Sequence, residues 1–160
     1  MSSCAEAPAE GAPRSMRWQR LLAYVWASPC SLVGLLAICW MWPWGASASI
    51  RAGVLEVHGT RPLPASMGAL QRLPFAGLTL GHVVLARSRC ELDRLRVHER
   101  AHVAQYERWG PIFFVAYPLS SLICWAQGRR AYQDNHFEVQ ARTVEACAAE
   151  AQHASRRLDA

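Results

Sequence analysis

The sequence predicts an α+β protein that is mostly helical and carries an N-terminal transmembrane helix. Residues 21–44 form an apolar run without a charged side chain, which predicts the transmembrane helix. Further on, residues 49–58 and 78–87 have the composition of strands, and residues 91–109 repeat apolar positions at the helical period. With 160 residues, the chain has room for one domain beside the transmembrane helix.

The first part of the chain divides into a polar tail and an anchor. Residues 1–20 are rich in Ala, Ser, Pro and Glu, which is typical of a disordered tail. Residues 21–44 number 24, and a helix of that length at about 1.5 Å per residue spans a hydrocarbon core of about 30 Å. Trp40, Trp42 and Trp44 lie at the end of the run, where aromatic side chains favour the membrane interface. We expect a retained anchor rather than a cleaved signal peptide, whose apolar core is shorter.

Arginines on the two sides of the anchor predict its orientation. Three precede the run and two follow it within about 20 residues: Arg14, Arg17, Arg20, Arg51 and Arg61. This asymmetry favours a single-pass protein of the cell membrane whose main domain, residues 45–160, lies at the extracytoplasmic surface. The net charge is +5, but the arginines are scattered among acidic residues and form no basic run, so we expect a lipid bilayer and no nucleic acid as partner.

The main domain begins with a small β element and continues as helices. Residues 49–58 alternate in polarity and end at Gly59, and residues 78–87 are rich in Val, Leu and Thr. Residues 91–109 then follow the helical period, and the Gly-Pro pair after them predicts the end of that helix. An alanine-rich helix is expected from about residue 135 to residue 157.

The segment HERAH lies within the helix predicted over residues 91–109. His98 and His102 are four residues apart, so they project from one face of a helix and can share a zinc ion. Glu99 lies about 100° round the helix and can reach a zinc-bound water without ligating the metal. In the H-E-x-x-H pattern this carboxylate takes the proton from the attacking water.

Two interpretations of HERAH remain open, a metal site and a hydrogen-bonded or solvated helix. The helical stripe favours the metal site, because HERAH lies on or beside the face that carries Leu92, Leu95 and Tyr106. Burying a carboxylate and two imidazoles costs several kcal/mol unless they are paired or bind a metal. Arginines occupy the opposite face, which was available to the histidines.

A catalytic zinc site takes three protein ligands and keeps one open position. Glu138 is the preferred third ligand, because Ala141 three residues later would let the last helix approach the HERAH helix closely. However, Asn135 and Glu138 also fit a capping box, in which Glu138 would accept a backbone N–H instead. His136 and His82 are the fallback ligands.

The apolar run of residues 111–128, which contains Pro118, constrains the topology. If this run crossed the bilayer, His102 before it and Glu138 after it would lie about 30 Å apart. Ligands of one metal must lie within a few ångströms of each other. We therefore expect an apolar helix that does not cross the bilayer, and a site at the membrane surface.

HERAH, the following Gln105 and a separate helix with the segment EVQA resemble the gluzincin-type zinc metallopeptidases. The chain also resembles small, uncharacterised bacterial membrane-associated proteins that contain an HExxHxxQ motif, a W-G-P segment and a D-N-x-F-E segment. These segments are residues 109–111 and 134–138 here, and the resemblance covers about residues 75–145.

This resemblance implies a zincin-like active-site helix in a minimal metallopeptidase domain. It implies a Zn²⁺ site of His98, His102 and Glu138, with Glu99 as the general base. It also implies that a strand before the motif helix, residues 78–87, pairs with an extended substrate. Tyr106, Tyr117 and Tyr132 are all candidates for stabilising an oxyanion, and the sequence does not choose among them.

The expected function is a membrane-tethered zinc-dependent hydrolase, a peptidase that acts on a peptide or protein. The alternative is a non-catalytic membrane protein with a structural metal site or a coincidental motif. Glu99 discriminates between the two, because a structural site has no use for a base beside its first histidine.

Overall fold

A computed structural model describes residues 14–60 and 77–158 and confirms the α+β class. Its helices and strands follow in the order α1 (Arg14–Met41), β1 (Ala46–Arg51), β2 (Val54–Gly59), β3 (Gly77–Leu80), β4 (Val83–Ala86), α2 (Arg89–Trp109), α3 (Phe113–Ala126) and α4 (His136–Leu158). Short 3-10 turns, Trp42–Trp44 and Gly110–Ile112, follow α1 and α2.

Helix α1 begins earlier and ends earlier than the anchor predicted over residues 21–44. Residues 14–20 belong to the helix rather than to a disordered tail, and the other residues of that predicted tail lie outside the described part of the chain. The α-helix ends at Met41, just before the 3-10 turn that contains Pro43, because proline has no backbone N–H with which to continue the α-helical hydrogen bonds. The stretch Trp18–Cys39 is long and apolar enough to cross a membrane.

Both predicted strands are β-hairpins, so the prediction of single strands was wrong. Ala52 and Gly53 form the first turn and both have positive φ, as a type I′ hairpin turn requires. Gly81, also with positive φ, begins the second turn. The four strands form one sheet in the order β1-β2-β4-β3, with β2 and β4 parallel and the other pairs antiparallel. Strand β3 therefore lies at an edge of the sheet.

Helix α1 packs against the domain rather than standing apart from it. Ala27 and Cys30 are fully buried in one core cluster with Tyr106, Phe113 and Phe137. Further along α1, Ile38 packs in a second cluster against the sheet. The side of α1 that meets the domain carries small residues, whereas its opposite side exposes large apolar side chains such as Leu22, Leu32 and Leu36.

Local features of the sequence fix where helix α2 begins and ends. Ser88 caps its N-terminus by accepting the backbone N–H of Glu91 at 3.3 Å. Gly110 ends it with a positive φ of 54°, as the Gly-Pro pair predicted, and a Cβ at that position would lie 2.4 Å from the indole ring of Trp26 on α1. The helix thus stops where it meets α1.

Helix α3 leads away from the centre of the domain, and the chain then returns along it. The buried side chain of Asn135 donates to the carbonyl of Tyr117 at 3.0 Å and to the hydroxyl of Ser121 at 2.7 Å. Asn135 also accepts the backbone N–H of Phe137 at 2.9 Å and so caps α4. These bonds place the first turn of α4 beside the middle of α3.

A buried carboxylate joins the sheet to the outer side of α2. Glu56 on β2 is 1% exposed, and both its oxygens accept from the Arg96 guanidinium at 3.2–3.3 Å. Arg100 lies 3.5 Å and Arg51 4.0 Å from the same carboxylate. We refer to these four residues as the Glu56 cluster. The helical stripe had placed arginines on the face of α2 opposite HERAH as a solvated face, and the structure corrects this, since Arg96 and Arg100 on that face are half-buried against Glu56.

Candidate metal centre

Helices α2 and α4 bring three predicted ligands together. His98 and His102 lie one turn apart on α2, and Glu138 lies in the first turn of α4. Ala141 on α4 is fully buried, as expected for a small residue where two helices approach closely. Among the described residues, these three side chains are the group of His, Cys, Asp or Glu that could hold a metal ion, and all three are buried. We refer to them as the candidate centre.

The spacing within the candidate centre fits a metal ion. Nε2 of His98 lies 3.2 Å from Nε2 of His102 and 3.3 Å from Oε2 of Glu138. Nε2 of His102 lies 3.2 Å from Oε1 of Glu138. Two ligands at about 2.0–2.1 Å from a tetrahedral zinc ion lie about 3.3–3.4 Å from each other. The observed separations match that value.

Gln105 fixes the orientation of His102. Its side-chain N–H group donates to the carbonyl of Phe137 at 2.9 Å, so its oxygen is the atom that faces Nδ1 of His102, at 2.9 Å. Nδ1 of His102 must then carry the proton, which leaves a lone pair on Nε2. Gln105 therefore aims an acceptor of His102 into the candidate centre, as the outer partners of metal-binding histidines do.

Glu145 favours the corresponding tautomer of His98. Its carboxylate lies 3.4 Å from Nδ1 of His98 and can only accept, so it favours the proton on that nitrogen. Neutral His98 then presents a lone pair on Nε2 as well. Two nitrogen lone pairs and a carboxylate thus converge at 3.2–3.3 Å, and this arrangement requires a cation between them or a proton on His98.

Glu138 is turned toward α2 and does not form the capping box that was considered. Oε1 accepts from the Tyr117 hydroxyl at 2.7 Å, and Oε2 is buried without a hydrogen-bond partner among the described residues, although Arg142 lies 3.7 Å away. Burial alone would raise the pKa of the Glu138 carboxyl, but its contacts with His102, His98 and Tyr117 hold that pKa well below its usual range. Glu138 is thus an anion, and its contact with His98 raises the pKa of that imidazole.

Glu99 is buried beside the candidate centre and accepts a hydrogen bond from a residue of the sheet. The hydroxyl of Thr79 on β3 donates to Oε2 of Glu99 at 2.7 Å. Gly77 leaves the space for this carboxylate, since a Cβ there would lie 2.4 Å from Oε1 of Glu99. Burial raises the pKa of the Glu99 carboxyl above its usual range, although the bond from Thr79 acts in the opposite direction. A carboxyl with a raised pKa suits a general base that must also release its proton.

A cavity of about 420 Å³ borders both the candidate centre and Glu99. Strand β3 forms one wall of this cavity, from Gly77 to Leu80, and the first turns of α3 form another. The wall from α3 includes Phe113, Phe114 and Pro118. The cavity gives a ligand access to the three side chains of the candidate centre and to the carboxylate of Glu99 at once.

The three candidate tyrosines have different surroundings. Tyr106 is 4% exposed and packs in the core against Phe113, with their ring centroids 4.5 Å apart. Tyr117 is engaged by Glu138, as described above. Tyr132 lines the cavity at its exposed edge, and burial of part of its ring raises the pKa of its hydroxyl to about 12. All three line the cavity, so the oxyanion role stays unassigned.

Neither fallback ligand lies in the candidate centre. His136 is exposed, and its Nε2 lies 2.9 Å from the side-chain nitrogen of Gln140. His82 stacks on Tyr24 of α1 with ring centroids 4.0 Å apart, and its Nε2 lies 3.0 Å from Glu107. His82 therefore belongs to the contact between α1 and the domain.

Sequence reasoning missed three residues that hold the site in place. Gln105 was visible in the motif but had no role, and Thr79 contacts Glu99 across an interval of 20 residues. Glu145 lies seven residues after Glu138, two helical turns along the same face, and this spacing could have identified it once Glu138 was chosen. Searches against protein-family models, curated proteins and solved structures find no match to the chain, so its interpretation rests on the geometry.

Proposed function

We propose that the protein is a membrane-tethered, zinc-dependent hydrolase of the HExxH type, and that it acts on peptide bonds. The observation that carries this proposal is the convergence of His98, His102 and Glu138, whose acceptor atoms lie 3.2–3.3 Å apart in a buried site. Two imidazoles and one carboxylate form a common ligand set of catalytic zinc. The likeness to gluzincin-type peptidases supports the choice of substrate by analogy only.

The residues of the chain divide the chemistry among them. A bound zinc ion would act as a Lewis acid and lower the pKa of a water molecule. Glu99 would accept the proton of the attacking water and then donate it to the leaving amine. Thr79 holds Glu99 through the bond of 2.7 Å, and Gln105 and Glu145 keep the two histidines in the tautomer that a metal needs.

The surroundings of the candidate centre favour catalysis over a structural role. A structural zinc site is usually closed by four protein ligands, whereas three such groups meet here among the described residues and the cavity borders them. Glu99 lines the same cavity without joining the ligand cluster. A carboxylate buried in that position would have no function at a site that only joins α2 to α4.

The attachment to the membrane rests on α1, whose stretch Trp18–Cys39 is long and apolar enough to cross a bilayer. Helix α3 has 14 residues and is about 21 Å long, which is too short for a hydrocarbon core of about 30 Å. The longer stretch Arg89–Ala126 passes for a span by length and composition, but α2 within it carries arginine and glutamate side chains. After α3 the chain turns back beside it, since the side chain of Asn135 donates to the carbonyl of Tyr117 within α3. His102 and Glu138 can therefore meet without a crossing of the bilayer by α3.

Metal analysis combined with an activity assay tests this function. The detergent-purified protein should contain about one zinc per chain, which is the content of a mononuclear site, and should hydrolyse an unstructured protein such as casein. His102→Ala and Glu138→Ala should lose both zinc and activity. Glu99→Gln should keep the zinc and lower turnover by about 10²–10⁴-fold, the usual contribution of a general base.

The variants separate the competing functions when all are shown to be folded by circular dichroism. Zinc without hydrolysis of any tested protein or peptide, in both the parent and Glu99→Gln, would favour a structural metal site. A parent that binds no zinc, even after zinc is supplied and the excess is removed, would refute the hydrolase and leave HERAH as a coincidental motif.

A further inference from the structure

Helix α3 has polar groups on the side that faces the domain and an apolar side that is exposed. Facing the domain are Phe113, Tyr117, Ser120, Ser121 and Cys124, whereas the exposed side is apolar throughout. We define the outer face of α3 as six large apolar residues that are 39–69% exposed: Phe114, Val115, Leu119, Leu122, Ile123 and Trp125. A contiguous apolar surface of this kind needs a partner, because soluble monomers seldom expose one.

The inward polar groups of α3 are used in hydrogen bonds. Ser121 accepts from the side chain of Asn135 at 2.7 Å, and Ser120 accepts from the backbone N–H of His136 at 3.1 Å. Tyr117 donates to Glu138 at 2.7 Å. Small and polar residues between helices with large apolar residues outside are typical of helices that face lipid.

The outer face of α3 adjoins the helix that is suited to cross the membrane. Phe113 at the start of α3 shares a core cluster with Ala27 and Cys30 of α1, and Gly110 just before it meets the ring of Trp26. On its own free side, α1 exposes Leu22, Leu32, Leu36 and other large apolar residues. The lipid that surrounds α1 therefore reaches the neighbourhood of α3.

The charges at both ends of α3 decide how it would meet that lipid. Arg108 precedes the helix and is exposed, and Arg129 and Arg130 follow it and are exposed too, while the 14 residues of the helix itself carry no charge. Arginine side chains at the ends of an apolar helix reach the headgroups. This pattern fits a helix with one side in the acyl chains and the arginines beyond its ends at the headgroups.

We propose that the outer face of α3 lies in the lipid of the bilayer, and that the cavity beside the candidate centre takes polypeptide segments of membrane-anchored chains that lie next to that lipid. Phe114 connects the two statements, because it belongs to the outer face and also lines the cavity. The mouth of the cavity therefore borders on lipid. The choice of substrate rests on the proposed function, whereas the contact with lipid does not.

Fluorescent labels on single cysteines test the contact with lipid in the full chain. Leu119→Cys and Leu122→Cys are introduced after the native cysteines are replaced, and Val144→Cys on α4 serves as the matched control because Val144 is also apolar and is 50% exposed. In vesicles of brominated phosphatidylcholine, the labels at positions 119 and 122 should lose several times more fluorescence than the label at position 144. Iodide in the water should quench only the control.

Two other results would overturn the contact with lipid. If iodide quenches the label at position 119 as strongly as the label at position 144, the outer face of α3 lies in water. If neither brominated lipid nor iodide reaches the label at position 119, the outer face is covered by a second copy of the chain or by another protein.

A series of tether lengths tests the substrate class. One unstructured peptide is joined to a transmembrane segment through spacers of about 4 and about 20 residues, which reach at most about 14 and 70 Å from the bilayer. The peptide on the short spacer should be cleaved at least as fast as that on the long one. Cleavage of the long form alone would place the cavity away from the lipid and refute the substrate class. If no peptide is cleaved, tethered or soluble, the hydrolase itself fails while the labels still decide the position of α3.

Discussion

Helix α2 contributes side chains to two groups of ionisable residues, each built around a buried carboxylate, Glu56 or Glu138. The two groups differ in how their charges are balanced. In the Glu56 cluster, one carboxylate faces guanidinium groups, so each acceptor oxygen has a donor at 3.2–3.5 Å. In the candidate centre, the Nε2 atoms of His98 and His102 lie 3.2 Å apart, and each lies 3.2–3.3 Å from a different oxygen of the Glu138 carboxylate. In the first group guanidinium donors reach both carboxylate oxygens, whereas the second brings acceptors together and needs a cation between them or a proton on His98.

This difference distinguishes the two groups more clearly than burial does. Glu56 is 1% exposed and Glu138 is 2% exposed, so desolvation treats the two carboxylates alike. What differs is the supply of donors. Both oxygens of Glu56 accept from guanidinium groups at 3.2–3.5 Å, whereas Oε2 of Glu138 has no hydrogen-bond partner among the described residues and its nearest guanidinium, Arg142, lies 3.7 Å away. A buried anion with few donors is a candidate for binding a cation.

The largest expected effect is the gain in the free energy of unfolding when zinc binds at the candidate centre. With free zinc at 1,000 times its dissociation constant, binding to the folded state adds about 4 kcal/mol to the free energy of unfolding. We expect the parent to lose about this amount when a chelator removes the zinc, as measured by urea unfolding in detergent. The Glu138→Ala variant should show no response to zinc, because the ligand set is broken.

The Glu138→Ala variant is also the control for zinc bound elsewhere. If zinc stabilises this variant as much as the parent, the metal does not bind at His98, His102 and Glu138. The candidate centre would then be an ion pair between a protonated His98 and Glu138, and the contrast with the Glu56 cluster would disappear.

The next effect concerns the Glu56 cluster alone. Removing one partner of a buried ion pair costs about 3–5 kcal/mol, and we expect Glu56→Ala to lie near the lower limit because Arg96 and Arg100 are 23% and 36% exposed. The zinc-dependent gain in stability should be unchanged in this variant, since effects at independent sites add. Unfolding of the parent and Glu56→Ala, each with zinc and with chelator, measures both quantities. A loss of the zinc response would show that the two groups are coupled through α2.

The two groups also differ in how well the sequence predicts them. His98, Glu99 and His102 were identified from local spacing on one helix, and Glu138 from a small residue that allows two helices to approach. The Glu56 cluster was missed, because Glu56 precedes Arg96 by 40 residues and nothing in the alternation of β2 marks it as buried. The spacing of residues along one helix can be read from the sequence. The pairing of side chains on distant helices and strands depends on how those elements pack.

The hairpins show the same limit at shorter range. A residue pattern that alternates over residues 49–58 predicts one strand, yet Ala52 and Gly53 turn the chain within it. The glycine was the available signal, and only the pairing of β1 with β2 shows that it marks a turn rather than a bulge. The edge strand β3 carries Thr79, which donates to Glu99. This strand is half of a hairpin that was predicted as a single strand, so the position of Thr79 beside Glu99 was not predicted.

A smaller effect is expected at Gln105, which orients His102 without touching the metal position. Loss of such an outer partner lowers metal affinity by about 10–100-fold. Gln105→Ala removes the acceptor at 2.9 Å from Nδ1 of His102, and it leaves the Phe137 carbonyl without its donor. Competition with a chromophoric chelator should show weaker zinc binding than in the parent. An unchanged affinity would mean that packing alone, without Gln105, holds the ring of His102.

The smallest effect is expected at Glu145, because its carboxylate is 44% exposed and lies 3.4 Å from Nδ1 of His98. Water can replace a half-exposed acceptor, so Glu145→Ala should lower zinc affinity by about tenfold at most, the lower limit for an outer partner. Glu145→Gln keeps an acceptor oxygen and should bind zinc more tightly than the alanine variant. If Gln and Ala variants are equally weak, the charge of Glu145 matters rather than the tautomer of His98. The candidate centre would then depend on an anion outside its ligand set, as the Glu56 cluster depends on its arginines.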